Sequence, residues 1–317
     1  MFVSVIICTY KRPQHLACVL EHLNIQSYKN MEVIVVDGGG PAAYEASQST
    51  ANSMAPDIDV KVIASSKGLT RQRNRGLRIA RGDLICLFDD DVTFEADFIT
   101  KIVEIFQRTD MQDLGGLSGY DIRNYPQQID KRWRLRKLFR TIPSLRPGDI
   151  DRLGSSVPVS FMQPFSGCKP VGFFYGFCMI YRAKAIAGVE FDEVLPTYGG
   201  EDRDFSFRVS KSWRLVVCGD LHLQHFQTVQ SRDSGVHRMY QTGFGAGRTF
   251  AKHRTSLWDY ADLSYTMVCE FFIDLLAFAS HPNWDRFARA FARPAGIVAG
   301  VRSYRSTEYS SPVEATR

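Results

Sequence analysis

The first forty residues restrict the fold more than any other part of the chain. "VSVIICTY" (3–10) is a continuous β-rich apolar run and "MEVIVVDGGG" (31–40) reads as the next buried strand, and between them Pro13 opens a stretch with Leu16, Val19, Leu20 and Leu23 at helical spacing. A strand that is apolar at every residue must be covered on both faces, which a parallel sheet flanked by helices provides. The pattern continues with strands expected at "DVKVIAS" (59–65) and "LICLFDDD" (84–91), separated by a basic helix, "TRQRNRGLRIARG" (70–82). The chain is therefore expected to be α/β, with a Rossmann-like open sheet. Such sheets bind ligands beyond the carboxyl ends of their strands, where Thr9, Tyr10, Asp37, Asp89, Asp90 and Asp91 all fall.

After a helix near 95–108 the pattern loosens, and 120–170 reads as a long Pro-, Arg- and Gly-rich excursion over the surface. Regularity returns with a strand in "GFFYGFCMIYR" (172–182), a Gly-rich turn and helix in "YGGEDRDFSFRVSKSW" (198–213) and a strand in "RLVVCG" (214–219). From about 235 the sequence looks helical to near 305, followed by a polar tail. With 317 residues, 44% hydrophobic and 23% charged, the composition is that of a globular protein, and a net charge of +5 is too small to argue for nucleic acid. The seven cysteines show no C-x-x-C spacing, so neither a disulfide framework nor a zinc ribbon is expected. The first residues look like a strand rather than a signal peptide, and a reducing cytoplasm is the expected compartment.

Three consecutive carboxylates at a strand mouth repel one another unless something positive joins them, and Mg²⁺ or Mn²⁺, which prefer oxygen ligands, would do so. In an extended segment Asp89 and Asp91 face one side and Asp90 the other. The segments "VSVIICTYKRP", "EVIVVDGG", "RQRNRGLRIARGDLICLFDDDV" and "YGGEDRDFSFRV" together resemble the family-2 glycosyltransferases, whose GT-A fold is an open mixed sheet flanked by helices. The resemblance covers residues 1–230. It divides the chain into a catalytic domain (1–118 nucleotide-sugar half, 119–230 acceptor half) and a C-terminal helical extension (231–317).

The resemblance implies an inverting transfer of sugar from a nucleoside-diphosphate sugar, with UDP as the expected nucleotide, to a hydroxyl of a glycan or lipid-linked saccharide. It assigns Asp91 to a divalent cation, Asp89 to the ribose or a metal-bound water, and Asp202 to the general base beside Glu201. Thr9, Tyr10 and Asp37 would lie against the nucleoside, Arg71, Arg73 and Asn74 near the phosphates, and His225, with His222 as alternate, on the metal or diphosphate. Two other readings stay open. "LFDDDVT" also fits the D-x-D-x-T of haloacid-dehalogenase-type phosphatases, although three strands precede it here, and an inactive sugar-nucleotide-binding subunit would keep the same motifs.

Two basic, aromatic segments, "KRWRLRKLFR" (131–140) and "NWDRFARAFARPAGI" (283–297), suit contact with anionic headgroups at the inner face of the cytoplasmic membrane. "LSYTMVCEFFIDLLAFAS" (263–280) is apolar, but Glu270 and Asp274 near its middle make it a docking or interfacial helix rather than a span.

Overall fold

The computed structural model describes residues 1–304 apart from 143, 145, 152–153, 198 and 228–234. The expected polar tail and Tyr198 of the Gly-rich turn lie outside the described residues. In chain order the elements are β1 (Val3–Thr9), α1 (Pro13–Asn24), β2 (Met31–Asp37), α2 (Pro41–Met54), β3 (Asp59–Ala64), α3 (Leu69–Leu77), β4 (Leu84–Asp89), β5 (Val92–Phe94), α4 (Phe98–Gln107) and β6 (Leu114–Asp121). They continue with α5 (Lys131–Leu138), β7 (Cys168–Val171), β8 (Cys178–Arg182), α6 (Glu201–Ser210), β9 (Arg214–His225), α7 (Gly235–His253), α8 (Asp259–Ser280) and α9 (Trp284–Ser303).

Among the described residues, nine strands form one mixed sheet in the order β3-β2-β1-β4-β8-β6-β9-β5, with β7 also on β9. β1, β2, β3 and β4 are parallel, and β8 enters antiparallel to β4. Every residue of β1 and β2 is buried, the polar Ser4, Thr9, Glu32 and Asp37 included, as strands covered on both faces require. The core gathers around them, with Leu16, Val19, Leu20 and Leu23 of α1 and Ile99, Ile102 and Phe106 of α4 fully covered. The α/β mixed sheet expected from the sequence is borne out.

Three features depart from the sequence reading. β6, "LGGLSGYD", falls where no strand was expected: a Cβ at Gly115 would strike Trp213 and one at Gly116 would strike Tyr181, so glycine is needed for packing rather than for a loop. The 120–170 excursion contains α5. Cys168 and Cys218 form a disulfide, against the expectation of none; they are 50 residues apart, and only the pairing of β7 with β9 sets them opposite each other. Cysteine usage therefore no longer argues for a reducing compartment.

The chain forms two compact units. The first comprises Met1–Gln127, Met162–Glu193 and Phe205–Thr228 and holds the whole sheet. The second comprises Gln128–Phe161, Val194–Asp204 and Val229–Arg317 and is built on α5, α7, α8 and α9. Residues 128–161 and 194–204, which the sequence reading placed in the catalytic domain, cluster with the C-terminal helices.

Candidate active site

β4 ends on Asp89, and the tight turn into β5 carries Asp90 and Asp91. The three residues of β5 pair antiparallel with the end of β9, which sets Val92 opposite His225, and the Phe226 N–H donates to the Asp91 carbonyl at 2.8 Å. Donor atoms of Asp89, Asp91 and His225 consequently lie within 4.8 Å of one another. His225 Nε2 is 3.2 Å from Asp91 Oδ1, and its ring stacks on Phe177 at 4.7 Å. Burial works against charge on this imidazole, yet the Asp91 hydrogen bond and the charges of Asp89, Asp91 and Asp121 hold its pKa above the ordinary value. Two carboxylates and an imidazole converging on one point are a donor set that fits a divalent cation. His222 is exposed further back on β9 and does not join them.

Asp90 turns toward β1. Its Oδ2 accepts the Thr9 hydroxyl at 2.8 Å, and its Oδ1 is 2.7 Å from the Arg12 guanidinium, which also lies 3.7 Å from Asp91 Oδ2. Burial pushes the Asp90 carboxyl up to about 7, against the pull of Arg12 and Thr9. Asp89 is 3.3 Å from the buried Arg73, which also donates to the Gly176 carbonyl at 3.0 Å. From the same helix Gln72 donates to the Thr9 and Val36 carbonyls, each at 2.8 Å, and ties together the ends of β1 and β2. Tyr10 stands at that rim, 38% exposed, with the ammonium groups of Lys11 and Lys67 at 5.5 and 5.0 Å from its ring centre.

Other residues singled out from the sequence are engaged differently. Asp37 accepts the Gly39 N–H at 2.6 Å and the Ser47 hydroxyl at 2.5 Å, so its buried carboxylate anchors the start of α2 on β2. Asn74 is buried and bonds both the N–H and the carbonyl of Phe191 and the Glu193 carboxylate, at 2.7, 2.9 and 3.0 Å. It holds that loop rather than joining the acidic trio, which explains an asparagine in mid-helix. Arg71 is half exposed and pairs with Glu193 at 3.5 Å.

Glu201 and Asp202 open α6 directly after Gly200, whose φ of +74° lets the chain turn into the helix. Asp202 Oδ1 accepts the Arg203 N–H at 2.7 Å, and Glu201 is buried. Asp204, with no exposed surface, meets Lys252 Nζ at 3.1 Å and His253 Nε2 at 3.6 Å. This acidic first turn belongs to the second unit.

Sequence reasoning missed Arg12 and Asp121. Arg12 stands in "TYKRP", just past a strand end where an acidic loop would need a cation. Asp121, at the end of β6, accepts the backbone N–H groups of Arg123 and Asn124 at 3.0 and 3.2 Å; Asn124 in turn donates to the His225 carbonyl at 2.8 Å. With β6 unseen, that clamp could not be found.

A family model described as glycosyl transferase family 2 matches residues 4–189. The chain belongs to glycosyl transferase family 2. Membership in family 2 sets aside the phosphatase alternative. Among curated family relatives, succinoglycan biosynthesis protein ExoM of Rhizobium meliloti is 24% identical over 326 aligned residues, covering 100% of this chain and 98% of ExoM. Amylovoran biosynthesis glycosyltransferase AmsB of Erwinia amylovora is 29% identical over 111 residues, which span 34% of this chain and 37% of AmsB. Among solved structures, the mannosyltransferase PcManGT of Pyrobaculum calidifontis, in complex with GDP-Man and Mn²⁺, superposes with a TM-score of 0.55 at 15% identity, covering 94% of this chain and 75% of that one. At that identity the likeness speaks to fold alone, and the fold is GT-A.

Proposed function

We propose that this family-2 chain is a metal-dependent inverting glycosyltransferase. It moves a sugar from a nucleoside-diphosphate sugar, with UDP as the nucleotide, to a hydroxyl of a glycan or lipid-linked saccharide at the cytoplasmic face of the membrane. The observation that carries this reading is the convergence of Asp89, Asp91 and His225 at the carboxyl mouth of the sheet. A divalent cation held there, Mg²⁺ or Mn²⁺, would neutralise charge on the diphosphate leaving group. PcManGT, named with both GDP-Man and Mn²⁺, supports a cation paired with a sugar nucleotide. The printed names of ExoM and AmsB support a role in polysaccharide biosynthesis.

The chain's own residues have separable tasks. Arg73 aims Asp89, and Thr9 and Arg12 hold Asp90, so the acidic turn is set before ligand arrives. Tyr10 offers an aromatic face to the base, Asp37 fixes the loop beside it, and Arg71 is free to swing toward phosphate from an exposed pairing. Asp202 takes the proton of the acceptor hydroxyl, with Glu201 beside it.

A thermal-shift screen against UDP-, GDP- and dTDP-sugars, each with Mn²⁺ and with EDTA, tests the reading. One nucleotide should raise the melting temperature only with metal, because a ligand that binds the folded state alone stabilises it. Asp91→Ala should abolish that shift. Asp202→Asn should keep the shift and lower turnover by about a hundredfold or more, the scale of a lost general base. Full metal-stimulated turnover in Asp91→Ala overturns the metal assignment, and donor binding with no turnover in the unaltered chain favours an inactive binding subunit.

A further inference from the structure

Within the second unit, α8 is built inside out. Glu270 accepts the Arg136 side chain at 3.1 and 2.7 Å and the Thr141 hydroxyl at 3.1 Å, and it also pairs with Arg293; Asp274 pairs with Arg132. Arg132 and Arg136 lie one turn apart on α5 and meet Asp274 and Glu270 one turn apart on α8, so the two helices run antiparallel with their charges in register. Glu270 and Asp274 are the charged residues between 263 and 280, and both are buried. The opposite side of the helix is apolar. Tyr265, Val268, Phe272 and Leu276 follow one another at steps of three, four and four along a single face and are 52, 54, 56 and 55% exposed.

α9 widens this face: Phe291, 49% exposed, packs edge-on against Phe271 at 5.2 Å, and Trp284 is 84% exposed at the start of the helix. A helix with charges inward and apolar side chains outward is the reverse of what water selects, and a contiguous patch of this kind marks an interaction surface. The paired helix α5 is basic on its exposed side, while Asp262 near the start of α8 is an exposed acid. With Arg132 and Arg136 turned inward, α5 exposes Lys131, Arg134 and Lys137, and Arg140 lies within electrostatic reach of the Tyr265 hydroxyl.

We infer that this face docks on the surface of an anionic lipid bilayer. Tyr265, Val268, Phe272 and Leu276 enter the boundary between headgroups and acyl chains, and the exposed cations of α5 meet lipid phosphates. A second copy of the chain is a poorer occupant, because a self-complementary contact would bring the exposed cations of α5 in one copy against those of the other. A span is poorer still. α8 is long and apolar enough to cross a membrane, but Glu270 and Asp274 sit near mid-helix, tied to α5, and crossing would draw the exposed lysines of α5 toward the bilayer centre. The inference deepens the membrane placement proposed above and rests on it for its purpose.

Flotation of the full chain tests it, with vesicles of phosphatidylcholine alone and with added phosphatidylglycerol. The chain should float with the anionic vesicles and be released by alkaline carbonate. The exposed double change Phe272→Asp with Leu276→Asp should weaken flotation by about tenfold or more. Lys131→Glu with Lys137→Glu should lose the preference for phosphatidylglycerol. Each variant should keep the melting temperature of the unaltered chain, which shows that it is folded. No flotation with either vesicle overturns the inference, as does resistance to carbonate or a lipid-free dimer that Phe272→Asp dissolves. Flotation of a chain that binds no sugar nucleotide leaves this surface standing and removes the transferase reading instead.

Discussion

Glu270 illustrates how much one buried carboxylate can be made to carry. Burial alone would raise its pKa, but Arg293 and Arg136 together hold it down to about 2. The Arg136 pKa is lowered too, burial and the neighbouring Arg293 bringing it down to about 10, and because lowering disfavours the charged form of a base, part of what the carboxylate gains the guanidinium loses. The folded pKa of Glu270 lies below its unfolded value of 4.5, so its contribution to stability is fully present above pH 4.5 and is lost as pH falls toward 2. Denaturant unfolding followed over that range should show a decline that Glu270→Gln flattens. At neutral pH that substitution should cost about 3 kcal/mol, because it leaves buried arginines uncompensated. His225 has the opposite sign. Its folded pKa is raised, so the metal-free protein gains from protonation below pH 6.5 and loses that gain as pH rises through the folded value. A cation competes with the same proton, so Mn²⁺ affinity should climb through that interval in a calorimetric titration, and His225→Asn should remove the slope.

Among the elements, α7 and α9 cross most closely. A Cβ at Gly243 or Gly247 of α7 would strike the carbonyls of Arg293 or Ile297, and one at Gly296 or Gly300 of α9 would strike those of Tyr240 or Phe244. Backbone meets backbone there, with no flexible side chain to give way. Gly247→Ala and Gly300→Ala should each cost about 1–3 kcal/mol, read as a lower melting temperature, while Gly167→Ala, with open space around its Cβ position, meets only the strain of its φ of +77°. The same contrast sets what could be read in advance. β1 and β2 were legible because buried valines and isoleucines dominate both, and Asp89 and Asp91 because three acids at a strand mouth require an explanation. β6 was hidden because its glycines serve distant neighbours, Trp213 and Tyr181, and the glycines of α7 and α9 were hidden for the same reason. Arg12 and the Asp121 clamp were out of reach because their meaning comes from partners on other strands.

For the whole molecule, the interleaving of the two units matters more than any one boundary. A chain cut after residue 230, where motifs and helical region divide in the sequence, would strand Arg132 and Arg136 without Asp274 and Glu270, and Asp204 without Lys252. Such a fragment should be insoluble or melt well below the full chain in a scanning calorimeter, whereas independence of the C-terminal helices would leave its melting unchanged. β9 carries a related constraint. Between its pairings with β6, a single step from Gly119 to Tyr120 corresponds to the four-residue advance from Cys218 to His222, so residues 219–221 bulge out of register before the strand meets β5. Successive side chains point to opposite faces, so the identity of the residue beside Asp91 depends on the length of that bulge. Lineages descending from this sequence can therefore exchange the exposed His222 more readily than Gly219, Leu221 or Leu223, which are held by packing, but a single codon gained or lost there would present Gln224 or Phe226 in place of His225.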